Sequence, residues 1–192
     1  MKNSNEVFIV LDIETLSLKE NARIIEVGFV AICARTLETL GAFQMDIEKE
    51  CELNIVRDRD EGTINWWHQT VSQESHRAYK AFLNEHDRKP LRVALQAISY
   101  ELDRLCPNIK DRRVYAKGPE FDCVILSDAY KQAGIDVPWK FRNQESLRTI
   151  ISLARYKGMD LEELKRNVPS HMALCDATYE AEQLIHYFDN LF

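Results

Sequence analysis

Two carboxylates close a strand that is otherwise apolar. The run Val7-Phe8-Ile9-Val10-Leu11 passes directly into Asp12-Ile13-Glu14-Thr15. It is too short to span a bilayer and has the length of a fully buried strand. Residues two apart on an extended chain share a face, so Asp12 and Glu14 emerge side by side. Carboxylates that close raise the cost of ionising each other unless a positive charge lies between them. A divalent cation meets that condition most simply. Two solvated strand-end charges are the plainer alternative, and the rest of the chain decides between them.

A buried strand needs covering layers. The chain has 192 residues, enough for a substantial core, and one domain over 1–192 is the expectation. Ile24 to Ile32 reads as a second strand with one wholly apolar face, and Thr39 to Met45 as a third, joined by a turn at Ala34 to Glu38. Such short connections predict two antiparallel neighbours for the first strand. Asp46 to Gly62 has no clear period, and Thr63 to Gln69 carries Trp66 and Trp67 side by side.

Helical spacing then takes over. A helix is predicted over Ser72 to Leu83 with Ser72 as cap, and another over Pro90 to Leu105 with proline in the first turn. A short strand, Arg113 to Ala116, leads through Gly118-Pro119 to a helix over Pro119 to Ala133, closed by Gly134. Leu147 to Leu153 and Leu161 to Leu164 read as short helices separated by Gly158. A last helix covers Met172 to Leu191, with a cap expected at Ser170. Strands followed by helices with a later strand predict a mixed α/β sheet covered by helices.

Further acids fall where that fold would deliver them. Asp122 follows Gly118-Pro119, a bend that brings a helix start to the end of the sheet, and His171 and Asp176 stand at the start of the last helix. Asp122 alone would be a first-turn charge on a helix dipole, and a lone histidine near a helix start is ordinarily structural. Together, the four carboxylates Asp12, Glu14, Asp122 and Asp176 would suit hard, oxygen-preferring cations, Mg²⁺ or Mn²⁺, with His171 as the fifth member of the group.

D-x-E on the first strand, Phe121-Asp122 on a middle helix and His171 through Asp176 on the last resemble the DEDDh exonuclease superfamily across essentially the whole chain. The resemblance implies an RNase H-like fold, with helices on both faces of a mixed sheet. Trp66-Trp67-x-Gln69 and Ser146-Leu147-Arg148-Thr149-Ile150 resemble a subgroup of compact bacterial and phage 3′–5′ exoribonucleases and exodeoxyribonucleases. Lys117 stands where many members carry Asn, and Ser17 where many carry Gly. The first replaces an amide near Asp122; the second shapes the turn after Glu14 without glycine.

By this resemblance, Asp12, Glu14 and Asp176 hold the metal that carries the attacking water, Asp12 bridges to a second metal, and Asp122 assists through water. Two such ions, about 3.5–4 Å apart, clamp the attacking and leaving oxygens at phosphorus. His171 takes the proton of the water, a task suited to imidazole. The product is a nucleoside 5′-monophosphate released from a free 3′ end of single-stranded RNA or DNA. Thr15 and Leu16 are implied to touch the terminal nucleotide, with Phe121 and Arg148 beside it. Trp66 or Trp67 is a candidate base platform, worth about 1–3 kcal/mol per base.

Net charge is -6, so nucleic-acid binding needs a local basic surface. The excess of Lys140, Arg142, Arg148, Arg155, Lys157, Lys165 and Arg166 is one candidate, a solvated face being the alternative. Five scattered cysteines, none in a C-x-x-C pair, read as reduced apolar residues of a cytoplasmic protein. No membrane partner is expected, because the first apolar run is cut by Asp12 and no later run approaches the length of a membrane span. A homodimer is compatible with the resemblance. Two other readings stand beside the exonuclease: an RNase H-like endonuclease and a non-catalytic nucleic-acid-binding module.

Overall fold

The computed structural model describes residues 5–50, 55–160 and 164–191. Its centre is a five-stranded sheet in the order β3-β2-β1-β4-β5. The strands are β1 (Val7–Thr15), β2 (Ile24–Cys33), β3 (Thr39–Asp46), β4 (Arg112–Ala116) and β5 (Gln144–Ser146). β1 is antiparallel to β2 and parallel to β4. β3 pairs with β2, so of the two antiparallel neighbours expected for β1 only one is adjacent to it. The strand is also longer than its apolar run: Asp12 and Glu14 are paired in it, opposite Gly28 and Glu26.

Period-two alternation divides β1 between two cores. Val7, Ile9, Leu11 and Ile13 face a core shared with α4 (Leu91–Leu105) and α5 (Asp122–Ala133). Phe8 and Val10 face the opposite one, under α6 (Leu147–Tyr156) and α7 (Ala173–Leu191). Asp12 and Glu14 continue this second face, beneath the start of α7. Helices thus cover both sides, and among the described residues none is long and apolar enough to cross a membrane.

Several local expectations change. The helix predicted from Ser72 starts at α1 (Glu61–Trp66), where the Asp60 side chain accepts from Thr63 N–H, and continues as a π-helical segment, Trp67–Val71, into α2 (Ser72–Glu74). Ser72 is therefore no cap; its Oγ donates back to the His68 carbonyl at 2.6 Å. The helix breaks at Ser75 (φ −143°, ψ 87°), before α3 (His76–Leu83). Pro90 sits one position before α4, and α5 begins at Asp122, not Pro119. The short helix expected over Leu161 to Leu164 falls largely outside the described residues.

The unperiodic stretch after β3 is held by buried arginines. Arg57 donates to the Ala22 and Ile125 carbonyls, and Arg88 to those of Ile25 and Ile47. Between Glu14 and Thr15 the β1–β2 register slips by one residue, leaving Ile25 as the extra residue of a bulge. The Ile25 carbonyl is nonetheless satisfied, by Ile47 N–H and by Arg88.

Candidate active site

The position of α7 depends on Gly28. A Cβ built there would lie 2.4 Å from the Leu174 backbone nitrogen and 2.6 Å from the Ala173 carbonyl carbon. The helix start therefore rests directly on β2, which brings Asp176 over Asp12 and Glu14. Gly28→Ala should force α7 outward, at about 1–3 kcal/mol of overpacking. Because a shift of about 1 Å can cost about 10²-fold in rate, activity should fall further than stability. Thermal melting and single-turnover rates on that variant check this; unchanged turnover would mean that the helix has slack.

Asp176 also closes its own helix. One oxygen accepts from Met172 N–H at 3.1 Å, capping the first turn in place of the expected Ser170. The other receives Arg166 Nη1 at 2.8 Å. Arg166 also donates to the Val168 and Pro169 carbonyls and lies over the Tyr179 ring, so it ties the preceding loop to α7. This arginine of the expected phosphate track is thus engaged at the acidic site. Arg148 pairs with Glu120 at 2.7 Å and lines the cleft; Lys140, Arg155, Lys157 and Lys165 are exposed.

One oxygen each from Asp12, Glu14 and Asp176 lie within 4.8 Å of one another. Burial pushes the Asp12 carboxyl well above its ordinary range, and Asp122, Glu14, Glu180 and Asp176 push the same way. Burial and Asp176 do the same to Glu14. Asp122, first residue of α5, lines the same cleft outside that trio and accepts Ile13 N–H at 3.3 Å. Burial raises it to about 7. A donor set of converging carboxylate oxygens, in which burial disfavours Asp12, Glu14 and Asp122 as anions, fits hard divalent cations.

Two further acids surround the site. Glu26, across from Glu14 on β2, is raised to about 7, and Glu180, one turn beyond Asp176 on α7, to about 8, both chiefly by burial. The i, i+4 spacing of Asp176 and Glu180 was the available sequence signal for the second. Acids whose folded pKa is raised stabilise the fold below their unfolded pKa, and that contribution is lost as pH rises through the folded value. In chelator, therefore, the melting temperature should fall as pH climbs from about 4.5 through about 8, and saturating Mg²⁺ should flatten the fall. A flat profile in chelator would contradict this.

His171 precedes α7 with a left-handed backbone (φ 60°) and lines the carboxylate cleft. Its Nε2 lies 3.3 Å from Glu74 Oε2, and its ring meets Trp66 edge-on at 5.0 Å. Glu74, at the end of α2, was not visible as a partner in the sequence. The two tryptophans separate. Trp67 is 2% exposed, stacks on Phe82 and donates to the Thr15 carbonyl at 3.1 Å. It is a core residue, which removes it from the candidate base platforms. Trp66 is half-exposed at a cavity of about 480 Å³ shared with Glu14, Thr15, Leu18, Thr63 and Phe121.

Leu16 changes place in the same way. At 1% exposure it is packed with Ile25 and Trp67, and cannot reach a substrate base. Leu18, 77% exposed, is the leucine at the cavity. Thr15 lines the cavity, with its hydroxyl given to the Ser17 carbonyl at 2.8 Å. Ser17 is buried, bonds Asp58 Oδ2 at 2.5 Å and is not among the positive-φ residues, so the turn needs no glycine. Phe121 borders both this cavity and the carboxylate cleft, joining them into one groove.

Residues 7–188 match the Rv2179c-like 3′–5′ exoribonuclease domain. The chain belongs to this exoribonuclease family. Its activity is that of a 3′–5′ exonuclease, and its acidic cluster is the kind that such enzymes place around divalent metals. The Rv2179c-like fold is RNase H-like: the nuclease domain of 3′hExo, a DEDDh family member bound to rAMP, superposes with a TM-score of 0.64 at 14% identity. That match covers 99% of this chain and 95% of the other. A 3′-exonuclease recognising the histone mRNA stem-loop gives 0.61 at 14% identity, over 98% and 84% of the two chains. E. coli exonuclease I in complex with single-stranded DNA gives 0.66 at 11%, over 97% of this chain and 43% of that one. The Rv2179c-like chain thus spans less than half of exonuclease I. No curated protein matches it significantly.

Proposed function

We propose that this Rv2179c-like domain, acting as a single unit over residues 1–192, trims single-stranded RNA from a free 3′ end and releases nucleoside 5′-monophosphates. The observation that carries this reading is the groove in which a carboxylate cleft adjoins the apolar cavity of Leu18, Trp66 and Phe121. The cavity takes the terminal nucleotide, with its base against Trp66 and Leu18. The cleft then receives the phosphate that joins it to the next nucleotide. One unpaired nucleotide fills such a cavity; a duplex end would first have to open.

Asp12, Glu14 and Asp176 would hold the catalytic cations, with Asp122 completing the set for two, Mg²⁺ or Mn²⁺. Bound there, they would supply an activated water and neutralise charge at the phosphorus. Arg166 fixes one oxygen of Asp176 and Gly28 fixes its helix, so the carboxylate is presented without reorganisation. His171 takes a proton at a ring nitrogen, and Glu74 and the Trp66 edge hold that ring at the mouth of the cleft. Thr15 and Phe121 position the terminal nucleotide, and Arg148 contacts the phosphates beyond it.

End-labelled RNA and DNA oligonucleotides, digested with and without Mg²⁺ or Mn²⁺, test the reading. RNA should shorten in single-nucleotide steps from its 3′ end, only with metal, and a 3′-blocked RNA should persist. Internal cuts in a circular RNA would point to an endonuclease, and intact RNA throughout to a binding module; either would overturn the proposal.

A further inference from the structure

Lys117 is a cation beside the acid trio with no part in the mechanism so far. β1 and β4 pair in parallel with Val10 opposite Tyr115, and both residues face α6 and α7. Continuing the register by two residues sets Lys117, just past β4, level with Asp12 and on the same face. Its side chain is half-exposed and lines the carboxylate cleft with Asp12, Asp122 and Asp176.

The ammonium is drawn toward Glu180, not toward its strand neighbour. Nζ lies 3.7 Å from Glu180 Oε1, an ion-pair distance too long for a hydrogen bond. The Glu180 side chain is 2% exposed, and its Oε2 has no hydrogen-bond partner. A carboxyl group this buried, with one oxygen unpartnered, is costly to the fold. Its position makes sense if it holds a lysine at the cleft while leaving Asp12 free for metal and the donors of Nζ free for another oxygen.

We propose that Lys117 is a catalytic residue that donates to a non-bridging oxygen of the scissile phosphate, and that Glu180 is its positioning residue. The inference rests on the proposed groove assignment, which seats that phosphate over Asp12. A phosphate oxygen is the acceptor that such a site lacks, and charge on it is redistributed as the phosphorus is attacked, where a fixed cation acts most strongly.

Single-turnover trimming of RNA should fall about 10²-fold in Lys117→Met and recover in large part in Lys117→Arg. Calorimetric Mn²⁺ titration without RNA should show no loss of metal affinity in Lys117→Met. Glu180→Gln should slow turnover, and the Lys117→Met/Glu180→Gln pair should be no slower than Lys117→Met alone, since both act through one ammonium. Contact with the phosphate is read directly by binding in a His171→Ala background, with RNA whose last linkage is either phosphate or neutral methylphosphonate. Neutralising the linkage should weaken binding about tenfold when Lys117 is present and far less when it is Met. Equal weakening in both would overturn the proposal. If the wild-type protein trims no RNA, the groove assignment itself fails; if it trims and the binding cycle shows no coupling, only the role of Lys117 does.

Discussion

Replacing Asp12 by alanine should abolish RNA trimming and, with it, the stabilisation that Mg²⁺ or Mn²⁺ gives the folded protein. The loss should exceed the ~10²–10⁴-fold attributed to a single positioned base, because Asp12 lies at the centre of the acid cluster. In wild type, metal at about 100 times its dissociation constant should add about 2.7 kcal/mol, read as a rise in melting temperature; the variant should show little of it. The same substitution should not destabilise the chelated protein, and should raise its melting temperature. It removes a buried carboxyl whose ionisation is opposed by Asp122, Glu14, Glu180 and Asp176, so the neighbours ionise more cheaply. Retained activity would show that these acids do not share a metal, and a chelated variant that melts far below wild type would show that the buried Asp12 carboxyl is no burden on the fold.

His171→Ala should divide the two halves of the site. Turnover should drop about 10²–10⁴-fold, whereas calorimetric metal titration should match wild type, because the carboxylates do the binding. Glu74→Gln should give a smaller loss of the same kind, since Glu74 only orients the ring, at 3.3 Å from Nε2. If His171→Ala turns over at a near wild-type rate, the histidine is structural and its left-handed backbone serves only to start α7.

The acids and the sheet were legible in the sequence because they obey local periods. The two faces of β1, the apolar stripe of α4 and the Gly134 stop (φ 66°) come from spacing and turn chemistry, whereas Asp176 as a partner of Asp12 and Glu14 comes from the family resemblance. β5 was not legible: Gln144-Glu145-Ser146 has no apolar alternation, and it becomes a strand only because β4 offers an open edge. The choice of leucine was missed because the one-residue slip after Glu14 redirects the next few residues, carrying Leu16 inward and leaving Leu18 at the cavity. Trp66 and Trp67 could be expected to diverge on a helix, but which turns inward is set by the π-helical segment, which no local pattern announces. Arg166 as a partner of Asp176, and Glu74 as a partner of His171, depend on loop paths that sequence spacing does not encode.

The acid cluster joins residues 12 and 14 on one strand to residue 176 on a helix, with residue 122 on another helix beside it. No shorter stretch of chain contains the site, and its assembly requires α7 to settle on Gly28. During synthesis, therefore, the growing polypeptide carries no nuclease until the codon for Asp176 has been read and its helix has cleared the ribosome. By then the ribosome has traversed nearly all of the message segment that encodes this domain. On the proposed reading, each new copy of an enzyme that trims RNA from the 3′ end is in this way inert while the ribosome making it is still on that segment.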